Sequence, residues 1–195
     1  RFLWLDPGMK ETRDYTIYVI LDVVRRYDID GVHIDDYFYP YPEYLEGKPF
    51  PDSGTYETYK RGGGALGLSD WRRQCVNSFV ETLYTEVKKA KPWVKVGISP
   101  FGIWRTGYPS GVQGMDPYAT LFADSKLWIN KGWVDYWTPQ LYWAINSNQP
   151  YKKLLGWWVE QNTHKRHIWP GLGLHRMTDA YKWQPDELVN QVAAT

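Results

Sequence analysis

Residues 30–40, Asp30-Gly31-Val32-His33-Ile34-Asp35-Asp36-Tyr37-Phe38-Tyr39-Pro40, contain the pattern that decides the fold class. Val32 and Ile34 alternate with His33 and Asp35, so the predicted strand from Val32 to Asp36 has one apolar and one polar face. Strands of a doubly wound sheet are apolar on both faces, whereas polar groups near strand ends are typical of a (β/α)₈ barrel, whose mouth holds the active site. The segment therefore favours a barrel strand that ends in two adjacent carboxyl groups.

Helix and strand patterns alternate along the rest of the chain. Thr12 is a predicted N-cap of a helix to about Tyr27, and Ser69 is a predicted N-cap of a helix that ends before Pro92. The elements predicted after these are a strand from Val94 to Ser99, a helix from about Tyr118 to Lys131 closed by Gly132, a strand from Val134 to Tyr142, a helix from about Tyr151 to Gln161, a strand from His167 to Leu174 and a last helix that begins at Pro185. Strict alternation predicts parallel strands joined by right-handed crossovers. We expect residues 1–195 to form a single α/β domain, a partial (β/α)₈ TIM barrel, with a candidate short fifth strand at Phe2 to Leu5.

Composition narrows the choice of partners. The 195 residues carry a formal net charge of +1 without a long run of like charge, which disfavours nucleic acid as a partner. The longest apolar stretches are far shorter than the roughly 20 residues of a membrane span. The single cysteine, Cys75, lies in a helical pattern and is predicted to be buried, and the sequence has no metal-ligand spacing, so neither a metal nor a cofactor is expected. Twelve Trp and sixteen Tyr exceed what a core of this size can hide, which predicts exposed rings with a binding role.

The candidate site lies in the loops after the predicted strands. Asp35 is expected to point into the barrel mouth, whereas Asp36 can serve the same substrate only if the strand ends or bulges there. Glycoside hydrolysis usually needs two carboxyl groups beside the scissile bond, so Asp35 and Asp36 are the catalytic candidates. Aromatic rings and polar side chains suit the apolar faces and hydroxyl groups of sugars. The predicted substrate-binding residues are His33, Tyr37, Tyr39, Trp104, Gln140, Tyr142, Trp143 and His175.

Several of these residues also have a purely structural interpretation. Asp36 would then cap a loop or pair with an arginine, and His33 would be an interior histidine with satisfied hydrogen bonds. Tyr142 and Trp143 would close the top of the barrel.

Several long phrases of the sequence resemble one known family. The phrases are Asp6 to Gly8, Arg25 to Pro42, Asp70 to Arg73, Gly97 to Arg105 and Trp133 to Trp143. Together they resemble the glycosyl hydrolase-like 10 family over nearly the whole chain. The resemblance implies a (β/α)₈ barrel of which this chain supplies about strands 4 to 7. It also implies a bacterial envelope or secreted protein, outside the cytoplasm, of a family in which some members act on peptidoglycan glycan strands.

Two further resemblances concern the carboxyl groups. Asp30-Gly31-x-His33-x-Asp35 is similar to the fourth-strand motif of the α-amylase class, which has Arg at the His33 position and its nucleophile at the Asp35 position. The glutamate that serves as acid in that class has no counterpart here, since the next strand ends Ile98-Ser99-Pro100, and Tyr37 stands where chitinase-type barrels carry their acid. The candidates for the second carboxylate are Asp36, Asp116, Asp135 or a residue outside this chain, with Asp135 the weakest because it lies near the start of its strand.

The leading hypothesis is a glycoside hydrolase that cleaves the glycosidic bonds of a bacterial polysaccharide, namely peptidoglycan glycan strands. The first alternative is a non-catalytic carbohydrate-binding barrel that has lost its acid. The second is a metal-dependent polysaccharide deacetylase with Asp35, Asp36 and a histidine as ligands, which the lack of a His-x-x-x-His arrangement disfavours. An incomplete barrel exposes its inward face, so self-association is also expected.

Overall fold

The computed structural model describes residues 3–195, in which helices alternate with the strands of one sheet. The helices are α1 (Lys10–Arg26), α2 (Ser53–Arg61), α3 (Leu68–Ala90), α4 (Pro117–Thr120), α5 (Ser125–Lys131), α6 (Tyr151–Gln161) and α7 (Pro185–Ala193). The strands are β1 (Gly31–Ile34), β2 (Lys95–Ile98), β3 (Tyr136–Trp137) and β4 (His167–Ile168), and two 3₁₀ helices span Pro42–Leu45 and Leu174–Met177. Phe2 lies outside the described residues, and residues 3–5 form no strand.

The four strands form one parallel sheet in the order β1-β2-β3-β4. Gly97 pairs with Tyr136 and Tyr136 with His167, one residue from each of β2, β3 and β4. Between β1 and β2, the carbonyls of Asp30 and Ile34 accept hydrogen bonds from the backbone N–H groups of Lys95 and Ser99, at 2.8 and 2.9 Å. The predicted α/β class with parallel strands is confirmed.

Three prolines at one level limit the length of the strands. Pro100, Pro139 and Pro170 each follow a strand by two residues, and a proline cannot donate to a sheet. Pairing resumes one residue later, where Gln140 stands opposite both Phe101 and Gly171. The carbonyls of Pro100 and Pro139 accept hydrogen bonds from the N–H groups of Gln140 and Gly171, at 3.0 and 2.9 Å. This break explains why β3 and β4 are much shorter than the predicted strands from Val134 to Tyr142 and from His167 to Leu174.

Two predicted N-caps are wrong. α1 begins at Lys10, because the turn at Pro7 and Gly8 starts the helix early: Met9 N–H donates to the Asp6 carbonyl at 3.2 Å, and Thr12 lies within the helix. α3 begins after Gly67, so Ser69 lies in its first turn. Capping depends on the path of the chain before the helix, which helical periodicity does not report.

The helix predicted from Tyr118 to Lys131 is two helices. α4 ends at Thr120, Phe122 adopts a left-handed backbone conformation with φ 55°, and α5 begins at Ser125. The predicted closing glycine is confirmed, because Gly132 has φ 68° and Trp133 N–H donates to the carbonyl of Trp128 at 3.2 Å. Pro185 is confirmed as the first residue of α7.

The described residues form two compact units, of which the first comprises residues 3–32, 37–95 and 117–124. In this unit α1 and α3 pack against each other. Leu21 and Val24 of α1 and Leu83 and Val87 of α3 are among its buried side chains, and Cys75 is buried as predicted. Burial raises the pKa of the Cys75 thiol. The main apolar contact of this unit is thus between two amphipathic helices.

A buried ion pair joins two segments of the first unit. Arg72 donates from Nε to Asp52 Oδ2 at 2.7 Å and from Nη2 to Asp52 Oδ1 at 2.5 Å, a bidentate arrangement. The Arg72 guanidinium lies 5.5 Å from the centroid of the Tyr39 ring and 4.8 Å from that of Phe122. Both charged side chains are buried and have lost most of their hydration. The hydrogen bonds between them replace part of it.

The second unit comprises residues 33–36, 96–116 and 125–195. Its core contains Trp128, Trp137 and Trp158, all fully buried, and the indole N–H of Trp158 donates to the Gly102 carbonyl at 2.9 Å. Asp135 precedes β3 and joins it to β2, because its Oδ2 accepts a hydrogen bond from Val96 N–H at 2.9 Å and its own N–H donates to the Val96 carbonyl at 2.8 Å. Asp135 therefore has a structural role at the beginning of the strands.

Arg72→Met should lower the free energy of unfolding by about 3 kcal/mol, because it leaves the Asp52 carboxylate buried without its partner. Lys10→Met is the matched control, since it removes an exposed ion pair with Asp14 and should change stability by less than about 1 kcal/mol. Urea denaturation measures both values. Equal effects of the two substitutions would contradict a structural role for the buried pair.

Candidate active site

The carboxylate of Asp35 is fixed through one of its two oxygens. β1 ends at Ile34, so Asp35 and Asp36 both lie beyond the regular strand. Asp35 Oδ1 accepts a hydrogen bond from the backbone N–H of Asp36 at 2.9 Å and from Gln140 Nε2 at 3.0 Å. Among residues 3–195, no hydrogen-bond donor reaches Oδ2. An anchored carboxylate with one open oxygen is suited to act as a nucleophile or to stabilise a positive charge.

Hydrogen bonds to the backbone, and a close contact with it, hold Gln140 in position. Its Nε2 also donates to the Ser99 carbonyl at 3.0 Å, and its N–H donates to the Pro100 carbonyl at 3.0 Å. Its own carbonyl lies so close to Gly102 that a Cβ on Gly102 would approach it to 2.3 Å. The amide is therefore oriented by two neighbouring strand ends, and it orients Asp35 in turn.

His33 belongs to a hydrogen-bonded layer below Asp35. Its Nε2 lies 2.6 Å from Ser99 Oγ and its Nδ1 lies 3.0 Å from the Tyr136 hydroxyl. Ser99 Oγ is also 2.6 Å from Thr138 Oγ1, which extends the network to the end of β3. The Tyr136 ring covers Gly97, where a Cβ would come within 2.0 Å of Cζ. His33 is thus hydrogen-bonded through both ring nitrogens and lies on the same side of the sheet as Asp35.

Burial shifts the pKa values of two side chains of the site, His33 and Tyr142. Burial lowers the pKa of His33, and the nearby negative charge of Asp35 opposes the shift without reversing it. Burial also raises the pKa of Tyr142, and the charges of Asp35 and Asp36 raise it further. The neutral imidazole and the protonated phenol are therefore the forms expected at neutral pH.

The predicted aromatic and histidine side chains after β2, β3 and β4 lie in three groups. His175 and Tyr142 meet edge to face, with ring centroids 5.4 Å apart, and Trp143 meets Phe101 at 5.5 Å. Trp104 stacks on Trp157 at 5.9 Å with an interplanar angle of 13°, so that face is closed to a sugar. A Cβ on Gly171 would lie 3.1 Å from the Tyr142 ring, so this glycine allows the ring its place.

The three candidates for a second carboxylate within this chain differ from Asp35 in their burial or in their hydrogen-bond and charge partners. Asp36 is buried, with 2% of its surface exposed. Asp116 Oδ2 lies 3.6 Å from Arg105 Nε. Asp135 holds the beginnings of β2 and β3 together, as described above. Of these acids, only Asp35 presents an exposed carboxylate at a strand end.

Tyr37 and Tyr39 belong to the first unit. Tyr39 is 1% exposed and packs edge to face against Phe50 and Phe122, with centroids 5.1 and 5.0 Å apart, so its ring has no open face for a sugar. We assign Tyr39 to the core of that unit. Tyr37, in contrast, is 50% exposed.

Sequence reasoning did not select Ser99, Tyr136 and Thr138 as members of the site. The alternation of side chains along a strand could have identified them. Ser99 is two residues after Gly97 and Thr138 is two residues after Tyr136, so both lie on the face that His33 and Asp35 share. Recognising it requires the register between strands, which only the structure provides.

Residues 3–195 contain neither a cluster of metal ligands nor a helix that could span a membrane. These residues contain no group of three or more His, Cys, Asp or Glu side chains that could hold a metal ion. Among the same residues, the helices are too short or too polar to cross a membrane.

A carboxylate, an amide and aromatic side chains thus follow the strands of a parallel α/β sheet, at the end where α/β barrels carry their active sites. The sequence profile of the glycosyl hydrolase-like 10 family matches residues 1–188, and the chain belongs to that family. The resemblance noted in the sequence is confirmed.

The chain is also similar in sequence to two curated proteins. The chain is 40% identical over 200 residues to "Glycosyl hydrolase YngK" of Bacillus subtilis strain 168, a match that covers 97% of this chain and 39% of the relative. It is 33% identical over 192 residues to "Glycosyl hydrolase DigH" of Escherichia coli K12, covering 95% of this chain and 43% of the relative. The chain thus spans about two fifths of the length of these relatives.

His33 should titrate below about 6.5, the value of an unperturbed histidine, because burial disfavours the charged imidazole. The folded state then binds fewer protons than the unfolded state between the two pKa values, so stability falls as the pH decreases through that window. NMR titration of the four histidines, with His33→Gln to assign the signal, measures the pKa. A His33 pKa above about 6.5 would show that the charge of Asp35 outweighs burial.

Proposed function

We propose that this chain supplies strands 4 to 7 of a (β/α)₈ barrel in a bacterial glycoside hydrolase that cleaves peptidoglycan glycan strands. The observation that carries the proposal is the geometry of Asp35: two donors fix its Oδ1, whereas no donor among residues 3–195 reaches Oδ2. Family membership and relatives with the name glycosyl hydrolase support the reaction class. Because peptidoglycan lies outside the cytoplasm, the proposal also places the protein there.

In this proposal Asp35 is the nucleophile or the residue that stabilises an oxocarbenium-like transition state. Gln140 positions Asp35, and the protonated Tyr142 hydroxyl is a hydrogen-bond donor near the carboxylates. Asp36 is buried, so we propose that the general acid comes from a part of the barrel outside this sequence. The separation of its carboxyl group from that of Asp35 sets the stereochemistry: about 5 to 5.5 Å for retention and about 6.5 to 9.5 Å for inversion.

One observation favours a second candidate, a non-catalytic carbohydrate-binding barrel. Of the acids weighed above, only Asp35 presents an exposed carboxylate at the strand ends, whereas glycoside hydrolysis usually requires two. A binding protein needs the amide and aromatic side chains and can dispense with the acid. Glycan binding by the full-length protein without hydrolysis at any pH from acid to neutral would establish this alternative.

Asp35→Asn should reduce hydrolysis of peptide-free glycan strands by the full-length protein by on the order of 10³-fold, since removing a catalytic group typically has an effect of this size. Release of new reducing ends measures the rate. Asp14→Asn, which changes an exposed carboxylate on α1, should retain wild-type activity. Full activity of Asp35→Asn would exclude the assigned role.

Gln140→Ala should lower kcat by about 10- to 100-fold, because a carboxylate displaced by about 1 Å loses much of its catalytic effect. Gln140→Glu tests the same contact with a side chain of equal length. It replaces the donor with an acceptor that repels Asp35, so it should be at least as impaired as Gln140→Ala. Activity at the wild-type level in Gln140→Glu would show that this hydrogen bond does not position Asp35.

A further inference from the structure

We propose that Trp4, Tyr37, Tyr41 and Tyr44 form a second carbohydrate-binding surface, which takes uncharged N-acetylated sugar rings of the same glycan. This aromatic surface lies wholly in the first unit. The choice of glycan rests on the proposed function, whereas the surface itself is defined by its own geometry.

The four rings are arranged in a closed cycle of contacts. Trp4 lies 6.2 Å from Tyr37 and 6.1 Å from Tyr44, and Tyr41 lies 5.8 Å from Tyr37 and 6.2 Å from Tyr44, measured between ring centroids. Tyr37 is 50% exposed and Tyr44 is 45% exposed. Clustered rings that are only half buried leave apolar surface in contact with water, an arrangement that is typical of binding sites.

The backbone holds these rings in place. Tyr41 precedes the 3₁₀ helix Pro42–Leu45, and Tyr44 N–H donates to the Tyr41 carbonyl at 3.0 Å. The Trp4 indole N–H donates to the Phe38 carbonyl at 3.4 Å, which ties the N-terminal segment to the tyrosine-rich segment. Pro40 and Pro42 further restrict the chain on either side of Tyr41. A preformed surface loses little conformational entropy when a ligand binds.

The charged residues of the segment 37–47 indicate which type of ligand the aromatic surface can bind. Residues 37–47 contain two acids, Glu43 and Glu46, and neither lysine nor arginine. Phosphate and carboxylate polymers bind through clustered cations, so nucleic acids, anionic lipids and acidic polysaccharides are poor partners for this segment. Flat rings and phenolic hydroxyl groups suit the apolar faces and hydroxyl rims of uncharged pyranoses.

The test measures binding by calorimetry with chitohexaose, an oligosaccharide made only of uncharged N-acetylated rings. The full-length protein carries Asp35→Asn in every sample, so that hydrolysis does not interfere. Tyr37→Ala/Tyr44→Ala should weaken binding of chitohexaose by at least about tenfold, as expected when stacked rings are removed from a binding surface. The matched control is Tyr15→Ala/Tyr18→Ala, which removes two stacked tyrosines of α1 that are 65% and 60% exposed, and it should bind as the parent does.

Unchanged affinity for chitohexaose in Tyr37→Ala/Tyr44→Ala contradicts the proposal. A parent protein that does not bind chitohexaose, or that binds heparin more tightly, contradicts it as well. Tyr37→Leu/Tyr44→Leu replaces the double alanine variant if that variant unfolds, since leucine keeps apolar bulk without a flat ring. Binding is measured separately from hydrolysis. A protein that binds through this surface but does not hydrolyse glycans therefore contradicts only the proposed function.

Discussion

The register of the parallel strands is the constraint on which the site depends. Backbone hydrogen bonds fix Ile34 against Ser99 and Ile98 against Thr138, and this places His33, Gly97 and Tyr136 in one layer and Asp35, Ser99 and Thr138 in the next. A shift of one residue would turn every one of these side chains to the other face of the sheet. The prolines at one level end the regular pairing just above these layers, and Gln140, directly after Pro139, is thereby brought to Asp35.

The acids of the second unit show how position divides residues of one type between different roles. Asp135 lies before its strand and accepts a hydrogen bond from the backbone N–H of Val96. Asp35 lies after its strand and, among residues 3–195, accepts two hydrogen bonds, both at one oxygen. This difference agrees with the general division of barrels into a stabilising N-terminal face and a reactive C-terminal face. Asp36, although adjacent to Asp35 and likewise beyond the end of the strand, is buried.

In the first unit, the tyrosine-rich segment after Asp36 divides its rings between core and surface. Tyr39 packs between Phe50, Phe122 and the guanidinium of Arg72, while Tyr37, Tyr41 and Tyr44 remain with Trp4 in the aromatic surface. The buried Arg72–Asp52 pair anchors the inner rings, since the cation lies over both Tyr39 and Phe122. The aromatic residues of this segment thus contribute both to the buried core and to the aromatic surface.

The sequence by itself determined the parallel α/β class, the polar and apolar faces of the strands, the glycine that closes α5 and the proline that begins α7. These features follow from periodicity and backbone chemistry, which act over a few residues. Only the tertiary structure decided that Met9 and Gly67 precede the helices in place of Thr12 and Ser69, that the helix after Tyr118 breaks at Phe122, and that Asp36 and Tyr39 are buried. Only the register joined His33 to Ser99 and Asp35 to Gln140, residues 66 and 105 positions apart. The reason is physical: burial, and contacts between distant residues, arise when separate segments pack together, and local sequence carries no measure of that packing.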